Sequence, residues 1–386
     1  MPYVAGGRYA FLKLFENLSS FVDTDLVVGS GSTIELFSKK KMKITHIRTP
    51  FSKHRLRFTA HLRMFIFSIQ ALLVSLLKGK AYSVVFSNYG YGSIIAYIAA
   101  RLLNKPLAIL VHDTPWYGDE DYPEGLLAVF TLLKKQYAVP FISKIFSWLV
   151  HLLNLSIIKQ AAFVFAVSKF TKRNLKRWRS PKEVLIAENG IELTNYKSNV
   201  STDKFPLILS INRFVATKRP YDLVKMLDIL TKEFGINARL VMIGAGPLLN
   251  NVKHLVHRLN LMDRVQILSN VSEKEKVTWL NRCWMVVSTS ELEGFGMSPM
   301  EAFACQKPVI TYDLDVFKMV YNTHILFAEK GNVRDLTSKV KQLIENPKLR
   351  IILGERGYKF VKNKSWRRTA RHVINKFLID LSCQRR

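Results

Sequence analysis

Short apolar, strand-like runs alternate with longer helical stretches through the second half of the chain. The strand candidates are residues 206–212, 238–244, 264–269, 284–290 and 307–313. Strands that alternate with helices of about 10 to 15 residues form right-handed crossovers, which build a parallel sheet covered by helices on both faces. The alternation therefore predicts a doubly wound α/β domain.

The first half of the chain shows the same alternation less regularly. Its strand candidates are residues 25–29, 43–48, 82–88, 106–112, 162–168 and 183–189. The polar stretch at residues 197–205 has the composition of a linker. We therefore expect one domain at residues 1–201 and a second from residue 202. Two such domains enclose a cleft, and ligands of these sheets bind outside the carboxyl ends of the strands.

Basic residues outnumber acidic ones by two to one. The chain has 58 Lys and Arg against 29 Asp and Glu, a formal net charge of +29 that both halves share. Such a surface favours anionic partners, namely nucleic acid, phospholipid or a phosphorylated substrate. The cysteines, at positions 283, 305 and 383, suit neither a disulfide framework nor a four-ligand zinc site, which indicates a reducing compartment. Polar turns follow Met1, so no signal peptide is expected.

Two cations follow the first strand of the second domain. Arg213 and Lys218 lie five residues apart in the sequence INRFVATKRP, in the turn before the next helix. Two cations at the end of a strand suit an anion. The alternative is a solvated basic loop in a chain that is rich in such residues.

The loop after the fourth strand of this domain has the sequence STSELEGFGMSPMEAFAC. Gly294 and Gly296 loosen the backbone, and Ser298 is placed to cap the following helix. Glycines, open backbone amides and a helix N-terminus together form an anion site.

Two glutamates frame the same loop, Glu293 within it and Glu301 in the first turns of the helix. Carboxylates accept hydrogen bonds from hydroxyls, and the vicinal hydroxyls of sugars suit them well. The alternative for Glu301 is a favourable interaction with the helix N-terminus, worth a few tenths to about 1 kcal/mol. The loop therefore predicts a phosphate site flanked by hydroxyl-binding groups.

The segments NRFVATKR and ELEGFGMSPMEAFA, in this order, resemble the retaining glycosyltransferases of family 4, the group 1 sugar-nucleotide transferases. The resemblance extends over nearly the whole chain, through AVSKFTKRNL, ENGIE and VMIGAGP. It implies a GT-B fold, in which an N-terminal acceptor domain faces a nucleotide-sugar domain across a cleft. It also implies that the second domain ends near residue 364 and that the helix from about residue 365 to 386 crosses back to the first domain.

The resemblance implies a role for each matching residue of the second domain. Arg213 and Lys218 would bind the donor diphosphate and neutralise the departing charge. Glu293 would contact the donor sugar, and Glu301 would hold the ribose hydroxyls. Three further residues would line the donor site through their backbone amides: Phe295, Gly296 and Met297.

Three other positions match residues that touch the donor in the family. His112 would lie near the anomeric carbon from the acceptor side. Gly7, in the Gly6-Gly7 turn, would touch the donor phosphate, and Gly246 would approach the nucleotide. The strand that normally precedes the glycine turn is not in the sequence, which begins at that turn. Residues 314–322 replace a glycine-rich turn common in the family.

No metal and no cofactor other than the nucleotide diphosphate sugar is expected. The expected donor site has no Asp-x-Asp pair, and the sequence DLD at residues 313–315 follows a different strand. The resemblance also implies retention of anomeric configuration, through attack on the same face without an enzymatic nucleophile.

Two long segments of the first domain carry cations and no acidic residue. Residues 36–112 include 13 Lys or Arg, and residues 125–182 include 11. They contain the apolar, cation-punctuated stretches 55–80 and 141–159, which are typical of helices that bind an anionic membrane surface. The alternative is that both are core-facing helices with solvated cations.

Neither stretch predicts a membrane span, because a span needs about 20 apolar residues. Polar and charged residues interrupt both stretches: Arg63, Gln70, Lys144, His151 and Asn154. We therefore expect a cytoplasmic protein attached peripherally to the inner face of the membrane.

Taken together, the sequence predicts a retaining glycosyltransferase that moves a sugar from a UDP- or GDP-linked donor to a lipid-linked acceptor or a growing glycan. Two alternatives stay open. One is a non-catalytic or partner-dependent subunit with the same fold. The other is a basic nucleic-acid-binding protein, although the sequence shows no nucleic-acid-binding module.

Overall fold

The computed structural model describes residues 6–29, 42–47, 57–112, 141–177 and 183–383. The chain divides into two compact units. The N-terminal unit contains the described residues between Gly7 and Glu188 together with the helix that begins at Trp366, and the C-terminal unit contains Asn189–Ser365.

Over its described residues, the N-terminal unit has six strands and five helices before the boundary. The strands are β1 (Thr24–Gly29), β2 (Met42–Ile47), β3 (Val85–Asn88), β4 (Leu107–Val111), β5 (Phe163–Ala166) and β6 (Val184–Ile186). The helices are α1 (Gly6–Leu18), α2 (Arg57–Gly79), α3 (Tyr91–Leu102), α4 (Phe141–Gln160) and α5 (Lys169–Arg177). All strand pairs are parallel, in a two-stranded sheet β1-β2 and a four-stranded sheet β3-β4-β5-β6. Each of the six predicted strands is present.

The C-terminal unit has one six-stranded sheet. Its strands are β7 (Leu207–Ile211), β8 (Arg239–Ile243), β9 (Val265–Leu268), β10 (Met285–Ser288), β11 (Val309–Tyr312) and β12 (Leu326–Ala328). Its helices are α6 (Pro220–Lys232), α7 (Leu249–Arg258), α8 (Glu273–Arg282), α9 (Met297–Ala304), α10 (Asp315–Tyr321), α11 (Val333–Glu345) and α12 (Pro347–Val361). The doubly wound α/β prediction is confirmed, and the short edge strand β12 is an addition to it.

The order of this sheet is β12-β11-β10-β7-β8-β9, with every pair parallel. The chain moves outward from β7 in one direction through β8 and β9, and returns to the other side of β7 with β10. Strands β7 and β10 are therefore neighbours at the topological switch point, where ligands of such sheets bind. Helices α6 and α11 pack against each other on this sheet, and Leu227 of α6 and Val340 of α11 are fully buried in its core.

The segment before the predicted linker belongs to the C-terminal unit. The amide of Ile191 donates a hydrogen bond to the carbonyl of Lys364 (2.8 Å), and Tyr196 is buried. The linker is also attached here, because Arg282 forms an ion pair with Asp203 (2.9 Å). These contacts place the boundary at residues 188/189, whereas the sequence places it at residues 201/202.

The final helix, α13 (Trp366–Cys383), belongs to the N-terminal unit. The hydroxyl of Thr369 donates to the carbonyl of Glu188 (2.7 Å), and the Phe377 ring packs edge-on against Phe163, with ring centroids 4.9 Å apart. The predicted return of the last helix to the first domain is confirmed.

Two polar residues of helix α4 lie on the inside. His151 and Asn154 are buried, and they hydrogen-bond with the hydroxyl of Tyr89 (2.6 Å) and the amide of Gly90 (3.2 Å), respectively. These two residues therefore face the unit's interior instead of interrupting an exposed apolar surface. Three leucines of the same helix are exposed: Leu149, Leu152 and Leu153.

Candidate functional site

The loop after β7 lies directly against the loop after β8. Gly244 has a φ of 154°, and a Cβ there would lie 1.9 Å from the carbonyl oxygen of Asn212. A Cβ on Gly246 would lie 2.3 Å from the carbonyl oxygen of Phe214. Only glycine allows the two loops to approach this closely. Gly246, predicted to approach the nucleotide, thus contacts the backbone of the cation-bearing loop.

The loop after β10 is tied to the same cation-bearing loop. The hydroxyl of Thr289 donates to the carbonyls of Lys218 (2.8 Å) and Arg219 (3.0 Å). The amide of Glu291 donates to the carbonyl of Thr217 (2.8 Å). These bonds bring together the two loops that the sequence analysis singles out.

Lys218 and Glu293 form a direct ion pair. The ammonium group of Lys218 donates to Oε1 of Glu293 and to the carbonyl of Leu292 (2.8 Å). The hydroxyl of Ser290 donates to the same Oε1 (2.9 Å). The side chains of Lys218 and Glu293 are only 11% and 17% exposed, so the pair is shielded from water. The sequence predicts both residues but not their pairing.

Arg213 differs from Lys218 in being exposed and free. Its guanidinium forms no hydrogen bond or ion pair with the residues that the structure describes. It lies two residues after β7, on the edge of the sheet where the strands end. A cation in this position is available to an anionic ligand.

A second cation of this loop, Arg219, supports the site and was missed by the sequence analysis. Its guanidinium donates to Asp222 (2.5 Å) and Glu291 (2.7 Å), and the hydroxyl of Tyr312 donates to the same oxygen of Asp222 (2.7 Å). Burial lowers the pKa of Arg219, but the bonds to the two carboxylates outweigh it, so the pKa is raised overall. The only signal in the sequence is the adjacent Lys218-Arg219 pair before Pro220.

Helix α9 presents its N-terminus at the end of β10. It begins at Met297 after Gly296, whose φ of 82° favours glycine. The amides of Phe295, Gly296 and Met297 donate no hydrogen bond to the residues that the structure describes, as is usual at a helix start. The predicted cap was wrong, because Ser298 is the second residue of the helix and Gly296 is the N-cap. Open amides and the helix dipole make this end suitable for an anion.

Glu301 lies one turn further into α9 and is almost completely enclosed. Its Oε1 accepts hydrogen bonds from Lys276 (2.7 Å) and from the hydroxyl of Tyr196 (3.1 Å). Its Oε2 is buried and has no hydrogen-bond partner among the described residues. Burial raises the pKa of Glu301, and the charge of Lys276 opposes that rise. The sequence does not predict Lys276, although a lysine one turn before the buried Leu280 lies on the apolar face of α8.

His112 and Gly7 lie in the N-terminal unit. His112 follows β4, and neither of its ring nitrogens has a partner among the described residues. Burial lowers the pKa of His112 to about 4, so its ring is neutral at physiological pH. Gly7 lies in the first turn of α1. All other predicted site residues lie in the C-terminal unit.

Over the described ranges, no group of three or more His, Cys, Asp and Glu side chains is placed to hold a metal ion. Asp313, of the DLD sequence, forms an ion pair with Lys318 (2.8 Å). No described helix is both long enough and apolar enough to cross a membrane.

The ends of β7 and β10 therefore combine an exposed guanidinium, a shielded lysine and a helix N-terminus with two carboxylates. The first three suit phosphate, and the carboxylates suit hydroxyl groups. Two α/β units, each built on parallel strands, together with such a site at a switch point are the features of the GT-B fold. The crystal structure of Anabaena HepE in complex with UDP and glucose has this fold, with a TM-score of 0.74, 14% identity and coverage of 98% of this chain and 97% of that one.

The family follows from the sequence comparisons. The profile for group 1 glycosyl transferases matches residues 193–360, and the profile for glycosyltransferase family 4 matches residues 25–195. An uncharacterized glycosyltransferase of Methanocaldococcus jannaschii is 30% identical over 258 residues, which are 64% of this chain and 69% of that protein. The chain belongs to the group 1 glycosyltransferases of family 4.

A second relative is the poly(ribitol-phosphate) alpha-N-acetylglucosaminyltransferase of Staphylococcus aureus. It is 24% identical over 202 residues, which are 51% of this chain and 39% of that protein. This chain therefore matches well under half of that relative's length.

Proposed function

We propose that this glycosyltransferase transfers a sugar from a UDP- or GDP-linked donor to a glycan or lipid-linked acceptor, with retention and without a metal ion. The observation that carries the proposal is the convergence of Arg213, the Lys218–Glu293 pair and the α9 N-terminus at the ends of β7 and β10. The UDP and glucose in the HepE crystal structure and the polymeric acceptor in the name of the S. aureus relative support the donor and acceptor classes.

The reaction breaks the bond between the anomeric carbon and the diphosphate oxygen. Negative charge develops on the diphosphate while the sugar becomes oxocarbenium-like. Arg213, Lys218 and the α9 amides stabilise that charge because they are already oriented before the reaction. The acceptor oxygen forms the new bond on the face that the diphosphate leaves, and its proton goes to the departing diphosphate. His112, whose ring is neutral, is proposed to face the acceptor.

The test is the thermal unfolding midpoint of the protein with UDP, GDP, ADP and their glucose and mannose conjugates. A ligand at about 100 times its Kd adds about 2.7 kcal/mol, which raises the midpoint of a unit of this size by about 5 to 10 °C. We expect one nucleotide to raise it. The shift should shrink in Arg213→Ala and persist in Lys225→Ala, which removes an exposed cation of α6. No shift with any nucleotide would contradict the donor site and favour the non-catalytic alternative.

We further propose that the N-terminal unit works at an anionic membrane surface. Ile69, Leu73 and Leu77 recur every four residues on α2 and are 45%, 55% and 81% exposed. Helix α2 packs against α3, which exposes Ile98 and Leu102, and α3 packs against α4 with its exposed leucines. Two cations accompany them, the exposed Arg101 and the half-exposed Lys78, which also pairs with Asp25 (3.3 Å). A contiguous apolar surface with flanking cations is typical of an interface with lipid.

Flotation with lipid vesicles tests this surface. Wild-type protein should float with vesicles that contain phosphatidylserine. It should remain in the soluble fraction when the vesicles contain phosphatidylcholine alone. Leu73→Asp/Leu77→Asp should remain in the soluble fraction, whereas Ile351→Asp/Ile352→Asp, a matched pair exposed on α12, should float like wild type. Wild-type protein that stays soluble with the anionic vesicles would refute the proposed attachment.

A further inference from the structure

Lys276 is an unusual lysine because its side chain is only 2% exposed. Its ammonium group lies between two carboxylates, 2.7 Å from Oε1 of Glu301 and 2.7 Å from Oε2 of Glu273. Lysine is almost never fully buried unless it is paired. A buried pair of this kind gives little net stability, since desolvation offsets the attraction. Stability alone is therefore a poor explanation for this lysine.

The two oxygens of Glu301 have different surroundings. Oε1 is saturated by Lys276 and by the hydroxyl of Tyr196 at 3.1 Å, whereas the buried Oε2 accepts nothing from the described residues. A buried acceptor without a donor costs about 1 to 3 kcal/mol, more when it is charged. A buried polar atom without a hydrogen-bond partner is rare in proteins and needs an explanation. The Oε2 atom lies in the helix that starts at the phosphate-binding end of the site, so a ligand hydroxyl is the donor that fits.

We infer that Lys276 and Tyr196 are positioning residues for donor recognition: they hold the Glu301 carboxylate so that Oε2 accepts a hydrogen bond from a ribose hydroxyl of the nucleotide. This inference rests on the proposed function, and it concerns two residues that do not touch the ligand themselves. Lys276 supplies the charge that keeps Glu301 ionised inside the protein. Tyr196 fixes the rotation of the carboxyl group.

Four titratable groups of the described residues lie near Glu301. Lys276 and Glu273 face it from α8, Tyr196 from the turn at Leu193–Tyr196, and Cys305 from the end of α9. Burial raises the pKa of Glu301, Lys276 lowers it and Glu273 raises it. Without Lys276 the pKa of Glu301 rises further, so more of the Glu301 carboxyl is protonated at low pH. Raising the pH then ionises it. Because ionised acceptors form hydrogen bonds roughly twice as strong as neutral ones, nucleotide affinity in a Lys276 variant should increase with pH.

The experiment is calorimetric titration with a nucleoside diphosphate and its 2′-deoxy analogue from pH 6 to 9. The base is the one among uracil, guanine and adenine whose diphosphate binds wild type. Wild type should prefer the ribonucleotide by about tenfold, with little pH dependence. Lys276→Met should lose about tenfold in affinity for the ribonucleotide alone and regain part of it as the pH rises. Lys276→Arg should retain the preference, and Tyr196→Phe should reduce it about threefold.

Each result decides between the hypotheses. Equal losses for both nucleotides in Lys276→Met would indicate a merely structural role and overturn the inference, as would an unchanged preference. Glu301→Gln and Lys276→Met/Glu301→Gln should bind alike, because Lys276 acts through Glu301. If Lys276→Met does not fold, the preference for the ribonucleotide over its 2′-deoxy analogue is measured in Lys276→Gln and Tyr196→Phe instead. Failure of all three diphosphates to bind wild type would refute the proposed function and this inference with it, whereas an undiminished preference in Lys276→Met and Tyr196→Phe refutes the inference alone.

Discussion

Replacement of Lys218 by alanine is expected to lower the kcat of sugar transfer by a factor of about 100 to 1000, which corresponds to about 2.7 to 4 kcal/mol of barrier. Lys218 is held against Glu293 and Leu292 before any ligand binds, so its charge needs no reorganisation during the reaction. In the proposed reaction, this stabilisation grows as charge develops on the diphosphate. We therefore expect kcat to fall much more than donor affinity.

The measurement is the initial rate of transfer at saturating donor, with the nucleotide sugar that stabilises the wild type. Lys225→Ala removes the same charge from an exposed position on α6 and should leave kcat within about twofold of wild type. Glu293→Gln and Lys218→Ala/Glu293→Gln complete a double-mutant cycle. Since the two side chains form one pair, their effects should not be additive. A kcat for Lys218→Ala within threefold of wild type would contradict the proposed stabilisation of the diphosphate by Lys218.

Much of the fold follows from periodicity. Runs such as Leu207–Ile211 and Leu107–Val111 are buried at every position, because helices cover both faces of a parallel sheet. This burial produces the continuous apolar segments that mark strands in the sequence. The three-residue strand Leu326–Ala328 is only partly buried at the sheet edge, so the same signal is too weak to reveal it.

The place of the site was also predictable, whereas its contacts were not. Arg213 and Glu293 follow strands, and the carboxyl ends of parallel strands meet at one edge of the sheet. The strand order that makes β7 and β10 neighbours is not visible in any local pattern. The resemblance implies phosphate binding for Lys218 and sugar contact for Glu293, and the structure adds that the two side chains pair. The pairing of Lys276 is hidden for the same reason, since its partner Glu301 lies 25 residues away.

The domain boundary and α4 show how buried contacts override composition. Residues 197–205 look like a linker because most are polar, yet Asp203 is fixed by Arg282 and by Trp284, whose indole donates to its carbonyl (2.7 Å). In α4, His151 and Asn154 look like interruptions of an apolar surface, but both satisfy hydrogen bonds inside the unit. Polar residues with buried partners cannot be distinguished from solvated ones without the tertiary structure.

Replacement of Asp222 by alanine is expected to destabilise the C-terminal unit by about 3 kcal/mol. Asp222 is buried and accepts hydrogen bonds from Arg219 (2.5 Å) and the hydroxyl of Tyr312 (2.7 Å). Its removal leaves the buried Tyr312 hydroxyl without an acceptor. Arg219 then keeps only its hydrogen bond to Glu291. For a unit of this size the unfolding midpoint should fall by about 6 to 12 °C, measured by calorimetry without ligand.

The matched control is Glu345→Ala, which removes an exposed carboxylate paired with Lys341 on α11 (2.8 Å). An exposed pair one helical turn apart contributes about 0.3 to 0.5 kcal/mol, so its midpoint should fall by no more than about 2 °C. The stability of the Arg219–Asp222–Tyr312 network matters for function, because the carbonyl of Arg219 accepts one of the hydrogen bonds from Thr289 that tie the two site loops together. If Asp222→Ala unfolds at the same temperature as Glu345→Ala, the Arg219–Asp222–Tyr312 network does not hold these loops, and the bonds from Thr289 and Glu291 must be sufficient to do so.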